Sequence, residues 1–540
     1  MLFAAGLQCS KRLYLDHQEG GTETLSESRR ALSLTGTKLI ELARTAFPKG
    51  QVVDATDDDA AAAATRKLLA DDSTFVVFGG TFQSELATVR TDILLRQKDG
   101  RLDLYEVKSG TKVKPRYLQD LAMQVSVIES CGYQVRAAHV LHVNARYLHD
   151  TDAGYAVQKL FRNADATARV RRLVPRIPEQ LATFRAQLAD ASTLDLPMGT
   201  WCTNPFPCPH LARCAAGGPA FPLRELPDLT RNLEAKLHEE AVEDLSLLDP
   251  KRPGLTFRQR RTIQSVQQNV TIVEPFVRDE LRSVEWPLHF LAIGALVEVL
   301  PQFTGQRPWR QLPYAWSVHT LHQDGRAESA SFGHADKDDP RPGFVRSLAA
   351  RLQGGMLVSY GDENLAGLRN LLEELPAEKS LVRSILGMQR LDARKLLDTG
   401  YFHPQLHGNR ELPAIAAAVL GERMPPLPAI QDADQARALI EKATAPRVRA
   451  ATREKAVEEL RAWVDWQSRT TLAIHQALAG SETIIKVVDA GKPVAPRPAK
   501  QLPSSNGEPT VVPAPAADAR PARKKSAAPR ARRTSPGPSD

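Results

Sequence analysis

No run of about 18 consecutive apolar residues occurs anywhere in the 540-residue chain, which excludes a membrane-spanning helix. The first nine residues carry no basic group ahead of a short apolar stretch, so no export signal is expected and the protein reads as cytoplasmic, without a membrane partner. Cysteine is scarce, with five in all. That is too few for a disulfide scaffold in so long a chain, so the thiols read first as metal ligands or free thiols. No internal repeat is found. What is present is the balance of a soluble globular protein, 42% hydrophobic and 25% charged. The length calls for two or three domains rather than a single core.

The net charge of +8 is unevenly placed. Residues 491–540 hold ten Lys or Arg against three acids, so this tail carries +7 and the rest of the chain only +1. The tail also holds eleven of the 38 prolines and almost no aliphatic pattern. Such a segment cannot bury enough surface to offset its ordering entropy and is expected to be disordered. A basic arm of this kind either holds polyanions in a salt-sensitive way or simply keeps the chain soluble.

Ahead of the tail, strand-like and helix-like stretches alternate. Residues 74–79, 89–95, 102–107 and 135–143 read as strands. Residues 117–130 read as a helix with Leu118, Leu121, Ala122, Val125 and Ile128 on one side. Further helices are expected at 36–46 and 175–196, followed by a cysteine-rich segment to Cys214. The Gly- and Pro-rich stretch 215–227 marks a boundary. Beyond it, residues 228–490 read as helices around strands at 288–299, 314–321 and 355–360.

The chemistry concentrates in the strand pair around Asp99-Gly100, a hairpin turn signal. With a three-residue loop of Lys98, Asp99 and Gly100, Gln97 faces Arg101 and Asp92 faces Glu106. Lys108 then points to the same side as Glu106. Asp92 is followed by Ile93-Leu94-Leu95 and Glu106 by Val107; solvated charges are uncommon inside such strands. Two facing carboxylates repel unless a cation lies between them, and oxygen ligands of this kind suit Mg²⁺ or Mn²⁺. Asp103 and Lys98 read as ordinary surface charges. Downstream, Asp120 and Gln124 share a helix face.

Asp92 followed by Glu106-Val107-Lys108 resembles the motif of the PD-(D/E)xK nuclease superfamily, and Gln124 matches the glutamine of its RecB-type branch. The resemblance implies an α/β, restriction-endonuclease-like core. In it Asp92, Glu106 and the carbonyl of Val107 hold the metal, and Lys108 positions and activates the attacking water. Gln124 orients Lys108 or the substrate strand. Glu41, on the upstream helix, is a candidate to complete the metal shell, and a solvated helix residue is the competing reading.

Cys202, Cys208 and Cys214 are spaced C-x5-C-x5-C, with Cys9 remote and Cys131 in Glu129-Ser130-Cys131-Gly132. Three clustered thiols and a fourth from the other end can give tetrahedral S₄ ligation of zinc or of an iron–sulfur cluster, and His210 could replace a cysteine in a zinc site. An N-terminal cysteine and a C-terminal triplet flanking a RecB-type core resemble the iron–sulfur nucleases, such as the AddB nuclease domain and the CRISPR-associated iron–sulfur exonucleases. That resemblance implies a 4Fe–4S cluster on Cys9, Cys202, Cys208 and Cys214, although the first gap in those families is often shorter. Cys131 reads as a buried thiol.

Residues 285–490 resemble a bacterial domain of unknown function that follows such nucleases and is similar to RNase H-like DEDD exonucleases. Here Ala292, Gly294 and Thr470 stand at three acid positions, Asp392 is retained, and Ser317-Val318-His319 matches a family element. The resemblance therefore implies a degenerate exonuclease. Arg258, Arg260 and Arg261 suggest a phosphate-facing patch. The expected organisation is a nuclease domain at 1–220, a degenerate RNase H-like α/β domain at 228–490 and a disordered tail at 491–540. The expected function is Mg²⁺- or Mn²⁺-dependent hydrolysis of DNA, with single-stranded ends as substrate and exonucleolytic rather than endonucleolytic action, in repair or defence. The alternative is a catalytically inactive nucleic-acid-binding scaffold.

Overall fold

The structure, a computed structural model, describes residues 2–19, 27–480 and 485–487. It is a mixed α/β protein with several sheets. The described residues fall in one compact unit; the expected disorder of the tail lies outside the described residues. Among the described residues, no helix is long and apolar enough to cross a membrane.

The chain opens with helices α1 (Leu2–Gln8), α2 (Ser10–Gln18) and α3 (Glu27–Arg44). Strands β1 (Gln51–Val52) and β2 (Val76–Phe78) flank α4 (Asp58–Ala70), whose N-cap Asp57 accepts the Ala60 N–H at 2.8 Å. A small hairpin, β3 (Thr81–Gln83) and β4 (Thr88–Arg90), precedes β5 (Ile93–Arg96) and β6 (Leu102–Lys108). Then follow α5 (Pro115–Ser130), β7 (Val135–Val143) and β8 (Phe161–Asp165). The first sheet runs β1-β2-β5-β6-β7-β8.

Its two faces have different partners. Leu94, Leu102, Leu104 and Val140 pack with Leu121, Val125 and Ile128 of α5 and with α4. Ile93, Val107, Val76 and Phe78 pack with Leu39 and Ala43 of α3 on the other side. The period of two thus sends the even-numbered residues of β5 and β6 toward α5. The strand expected at 89–95 is broken. Thr91, 1% exposed, gives its N–H to the Gly80 carbonyl at 2.8 Å, so the chain leaves the small hairpin and enters the main sheet at Asp92.

Residues 223–266 form a small helical core of their own around Leu237 and Ile263. The second half then builds two sheets. Strand β9 (Val270–Val273) is flanked by β15 (Tyr401–Phe402) and β16 (Ile485–Val487). The larger sheet comprises β10 (Leu288–Glu298), β11 (Arg310–Leu321), β12 (Ala327–Gly333), β13 (Met356–Ser359) and β14 (Gln389–Asp392). Its order is β12-β11-β10-β13-β14: three antiparallel strands, then two added in parallel. The 30-residue helix Ala450–Ala479 lays Trp463 and Val464 against Ala292, Leu296 and Tyr314.

Candidate active site

The β5–β6 register is the one a three-residue turn dictates. Ile93 faces Tyr105 and Leu94 faces Leu104. The Gln97 N–H meets the Arg101 carbonyl at 2.8 Å, and Gly100 takes the left-handed φ of +79° that the turn requires. Extending this register sets Asp92 opposite Glu106. The Val107 N–H donates to Asp92 Oδ2 at 2.7 Å. Asp92, Glu106 and Lys108 therefore continue the face that Leu94, Leu102 and Leu104 begin, where the apolar packing on α5 ends.

Helix α5 covers that end with Tyr117, Asp120 and Gln124, which its period aligns. Lys108 Nζ lies 3.0 Å from Glu106 Oε1 and 3.0 Å from Asp120 Oδ2, and 5.4 Å above the Tyr117 ring. The Gln124 amide donates to Glu106 Oε2 at 3.0 Å. Burial alone favours a neutral Lys108, but the Glu106 and Asp120 carboxylates outweigh it and hold the ammonium above the usual lysine range. Burial, and then the charge of Glu106, push the Asp92 carboxyl up to about 8, against the Val107 N–H, Lys108 and Arg44.

The donor set fits a divalent cation. Asp92, Glu106 and Asp120 outnumber Lys108, and the raised Asp92 carboxyl marks a pair that takes either a proton or a cation. Gln124 Oε1 is buried without a partner, a polar atom aimed at nothing in the protein. Among the described residues, no three His, Cys, Asp or Glu side chains stand ready as a metal-ligand group. Lys108 stands between Glu106 and Asp120. Glu106, Asp120 and Gln124 open onto a cleft walled by Leu86, Met123, Phe184 and Leu188, with Arg90 and Arg185 at its side.

Glu41 is not brought to this group. It is exposed on α3 and lines a different cleft, with Lys38, Tyr155 and Arg437. The α3 residue whose charge reaches Asp92 is Arg44, stacked 5.3 Å over Phe78; no motif flags it. Asp103 is not a surface charge. It is 1% exposed, paired with Arg136, and accepts from Gln97 at 2.8 Å. Lys98 is exposed, as expected.

Cys9, Cys202, Cys208 and Cys214 line one small cavity with Met198, Trp201 and His210. Cys131 lies apart, its thiol on the Gln83 carbonyl at 3.1 Å. Burial pushes the Cys202 and Cys208 thiols up, and the neighbouring thiols add to it, so thiolates there need a cationic group. Thiolates are the donor type that tetrahedral zinc and iron–sulfur sites use; the four thiols share this cavity without standing as a ready ligand group among the described residues. His210 is engaged elsewhere, its Nε2 on Asp16 Oδ1 at 2.7 Å. Around the cavity, Gln8 donates to the Trp201 and Phe206 carbonyls at 2.7 and 2.9 Å, and Arg213 pairs with Glu19 at 2.7 Å. The start of the chain is thereby tied to residues some 190 positions later.

In the second half, Ala292 faces Ser317 across β10 and β11. A β-carbon on Gly294 would meet Trp463 at 2.9 Å and Val464 at 3.1 Å. Thr470 is fully buried with its hydroxyl unpartnered. Asp392 caps the helix Ala393–Gly400, accepting from the N–H groups of Lys395 and Gly361 at 3.1 Å. His319 bonds Ser468 at 3.0 Å, and Ser468 bonds Ser317 at 2.9 Å. Two arginines of the expected basic patch are paired with acids, while Arg260 is exposed. Arg258 pairs with Asp228 at 3.0 Å, Arg260 donates to the Leu255 carbonyl at 3.2 Å, and Arg261 pairs with Glu274 at 2.7 Å.

Residues 289–410 match the family model described as Domain of unknown function (DUF2779). No curated protein and no solved structure matches the chain.

Proposed function

We propose that the chain is a RecB-type PD-(D/E)xK nuclease that hydrolyses DNA with Mg²⁺ or Mn²⁺, fused to a degenerate RNase H-like domain. The observation that carries the reading is the face on which Asp92, Glu106 and Lys108 converge, closed by Asp120 and Gln124 of α5. Asp92 and Glu106 would hold the cation, which when bound supplies a Lewis acid for the phosphate. Lys108, kept as an ammonium, donates rather than accepts a proton. It orients the attacking water and offsets charge building on the phosphate oxygens. Gln124 fixes Glu106 through its amide and has its Oε1 left for a water or the substrate strand.

The cleft beside these groups sets apolar walls next to arginines, which suits the unstacked bases and phosphates of a single strand. We assign a 4Fe–4S cluster to Cys9, Cys202, Cys208 and Cys214, where it would join the two ends of the nuclease half. Free thiols suit the cytoplasm, and single-stranded ends suit repair or defence. The strand order β12-β11-β10-β13-β14 supports the RNase H-like reading of the second half. The side chains at Ala292, Gly294 and Thr470 offer no carboxylate there. That loss also favours the second reading, a scaffold that binds nucleic acid without cutting it.

Cleavage of end-labelled single-stranded DNA with Mn²⁺, by anaerobically purified wild type and Lys108→Ala, separates the two. The nuclease reading expects cutting by wild type and a loss of about a thousand-fold in the variant. Inertness of both proteins, with thiol-bound iron intact and binding retained, would establish the scaffold instead.

A further inference from the structure

The loop between β10 and β11, residues 299–309, leaves its own sheet and docks on the first half. It is braced from behind. Gln306 is fully buried, and its side-chain oxygen accepts the N–H groups of Gln302 and Phe303 at 2.7 and 3.2 Å. Arg341, 1% exposed, donates to the Thr304 carbonyl at 2.9 Å while pairing with Asp339 and Glu374 at 2.8 and 3.0 Å. From this frame the loop reaches outward. The His149 N–H meets the Gln306 carbonyl at 3.0 Å, and the Gly305 N–H meets the His149 carbonyl at 3.0 Å. The Tyr155 hydroxyl meets the Pro301 carbonyl at 2.9 Å, and Arg307 meets the Arg146 carbonyl at 3.0 Å.

At the end of the loop, Trp309 donates its indole N–H to the Ser109 carbonyl at 2.7 Å. Trp309 has a φ of +61°, which is sterically costly for a bulky residue and persists only where the surroundings impose it. Burial does not impose it, because the side chain is 38% exposed. The restraints on the peptide are the indole bond and the Trp309 N–H on the Glu298 carbonyl at 2.7 Å. Ser109 directly follows Lys108. Next to it, Gly110 lies so close to Tyr117 that a β-carbon would come 2.6 Å from the phenol oxygen. The Gly110 carbonyl accepts the Val143 N–H at 3.0 Å. A bond to the Ser109 carbonyl therefore sets the pitch of the strand end that carries Lys108.

We infer that Trp309 is a positioning residue for the nuclease site, and that the DUF2779-matched segment acts as a brace holding Lys108 in register with Glu106 and Asp120. The inference rests on the nuclease reading above. Its test is Trp309→Phe in the full-length holoprotein, which keeps the aromatic ring and removes the donor. We expect kcat on single-stranded DNA to fall about ten-fold, since a small displacement of a catalytic group is costly. KM should stay within about two-fold and the thermal midpoint should hold, because no substrate contact or core packing is lost. Amide exchange across residues 109–112 should quicken. An unchanged kcat overturns the positioning role, whether or not exchange quickens. Wild type and variant both inert would mean that the nuclease reading itself had failed, and the positioning role with it. Failure of the Trp309 role alone leaves both proteins equally active.

Discussion

At the level of single residues, burial decides which charges matter. Glu106 and Asp103 are both acids on β6, three positions apart and so on opposite faces of the strand, yet they serve different ends. Asp103 is closed by Arg136 and Gln97, a satisfied pair with no capacity left. Glu106 shares Lys108 with Asp120 and faces the raised Asp92 carboxyl, a group with charge to spare. The same rule makes His475 a measurable liability. Its ring is 6% exposed, edge-on to Phe290, with Nδ1 unpartnered. Burial lowers its pKa from 6.5 to about 4. Between those values the unfolded chain takes a proton that the folded chain refuses. The stability from a neutral His475 is therefore complete above pH 6.5 and is lost as pH falls toward 4, at up to about 1.4 kcal/mol per pH unit. Urea titrations at pH 7, about 5.5 and about 4.5 should show His475→Leu losing less stability on acidification than wild type. Parallel losses in the two proteins would contradict this.

Secondary-structure elements show where local patterning speaks and where it stops. The Asp99-Gly100 turn and the alternation around it set the β5–β6 register, and with it the facing of Asp92 and Glu106, because a hairpin's geometry is local. The apolar stripe of α5 was equally legible, and it carried Asp120 and Gln124 to the right side of the sheet. The break at Thr91 was not, since it depends on the Gly80 carbonyl reaching back across the small hairpin. The exposed placing of Glu41 is one of two readings that the sequence leaves open, because no spacing fixes how α3 rotates against β2 and β5. The second half offers the sharpest element-level test. Placing an acid by Gly294→Asp, where the exonuclease resemblance would have one, would press a carboxylate into Trp463 and Val464, which stand 2.9 and 3.1 Å from where its β-carbon must lie. Overpacking and an unpaired buried charge should together cost about 2–4 kcal/mol. Thermal melting should show this loss, with no gain of metal binding. A variant as stable as wild type would mean that the site has room for a carboxylate.

For the whole molecule, the two halves of the folded unit meet through the 299–309 loop, and the start of the chain returns to the cysteine segment. Neither contact is periodic in sequence; only the cysteines, as rare residues with one chemistry, announced theirs. The basic tail is the remaining large-scale feature of the sequence. Its charge of +7 exceeds that of all the preceding residues together, while Arg258 and Arg261 are paired with Asp228 and Glu274. If the chain holds nucleic acid by general electrostatics, the tail must supply much of that attraction. Phosphate contacts release counterions, and each one lost from a single strand flattens the slope of log affinity against log salt by about 0.7. A chain ending at residue 490 should therefore bind single-stranded DNA more weakly at low salt and with a visibly shallower slope. Its thermal midpoint should match the full-length protein, because no core residue is removed. Equal slopes for the two chains would leave the tail as a solubilising segment and transfer the whole of nucleic-acid attraction to the cleft that holds Arg90 and Arg185.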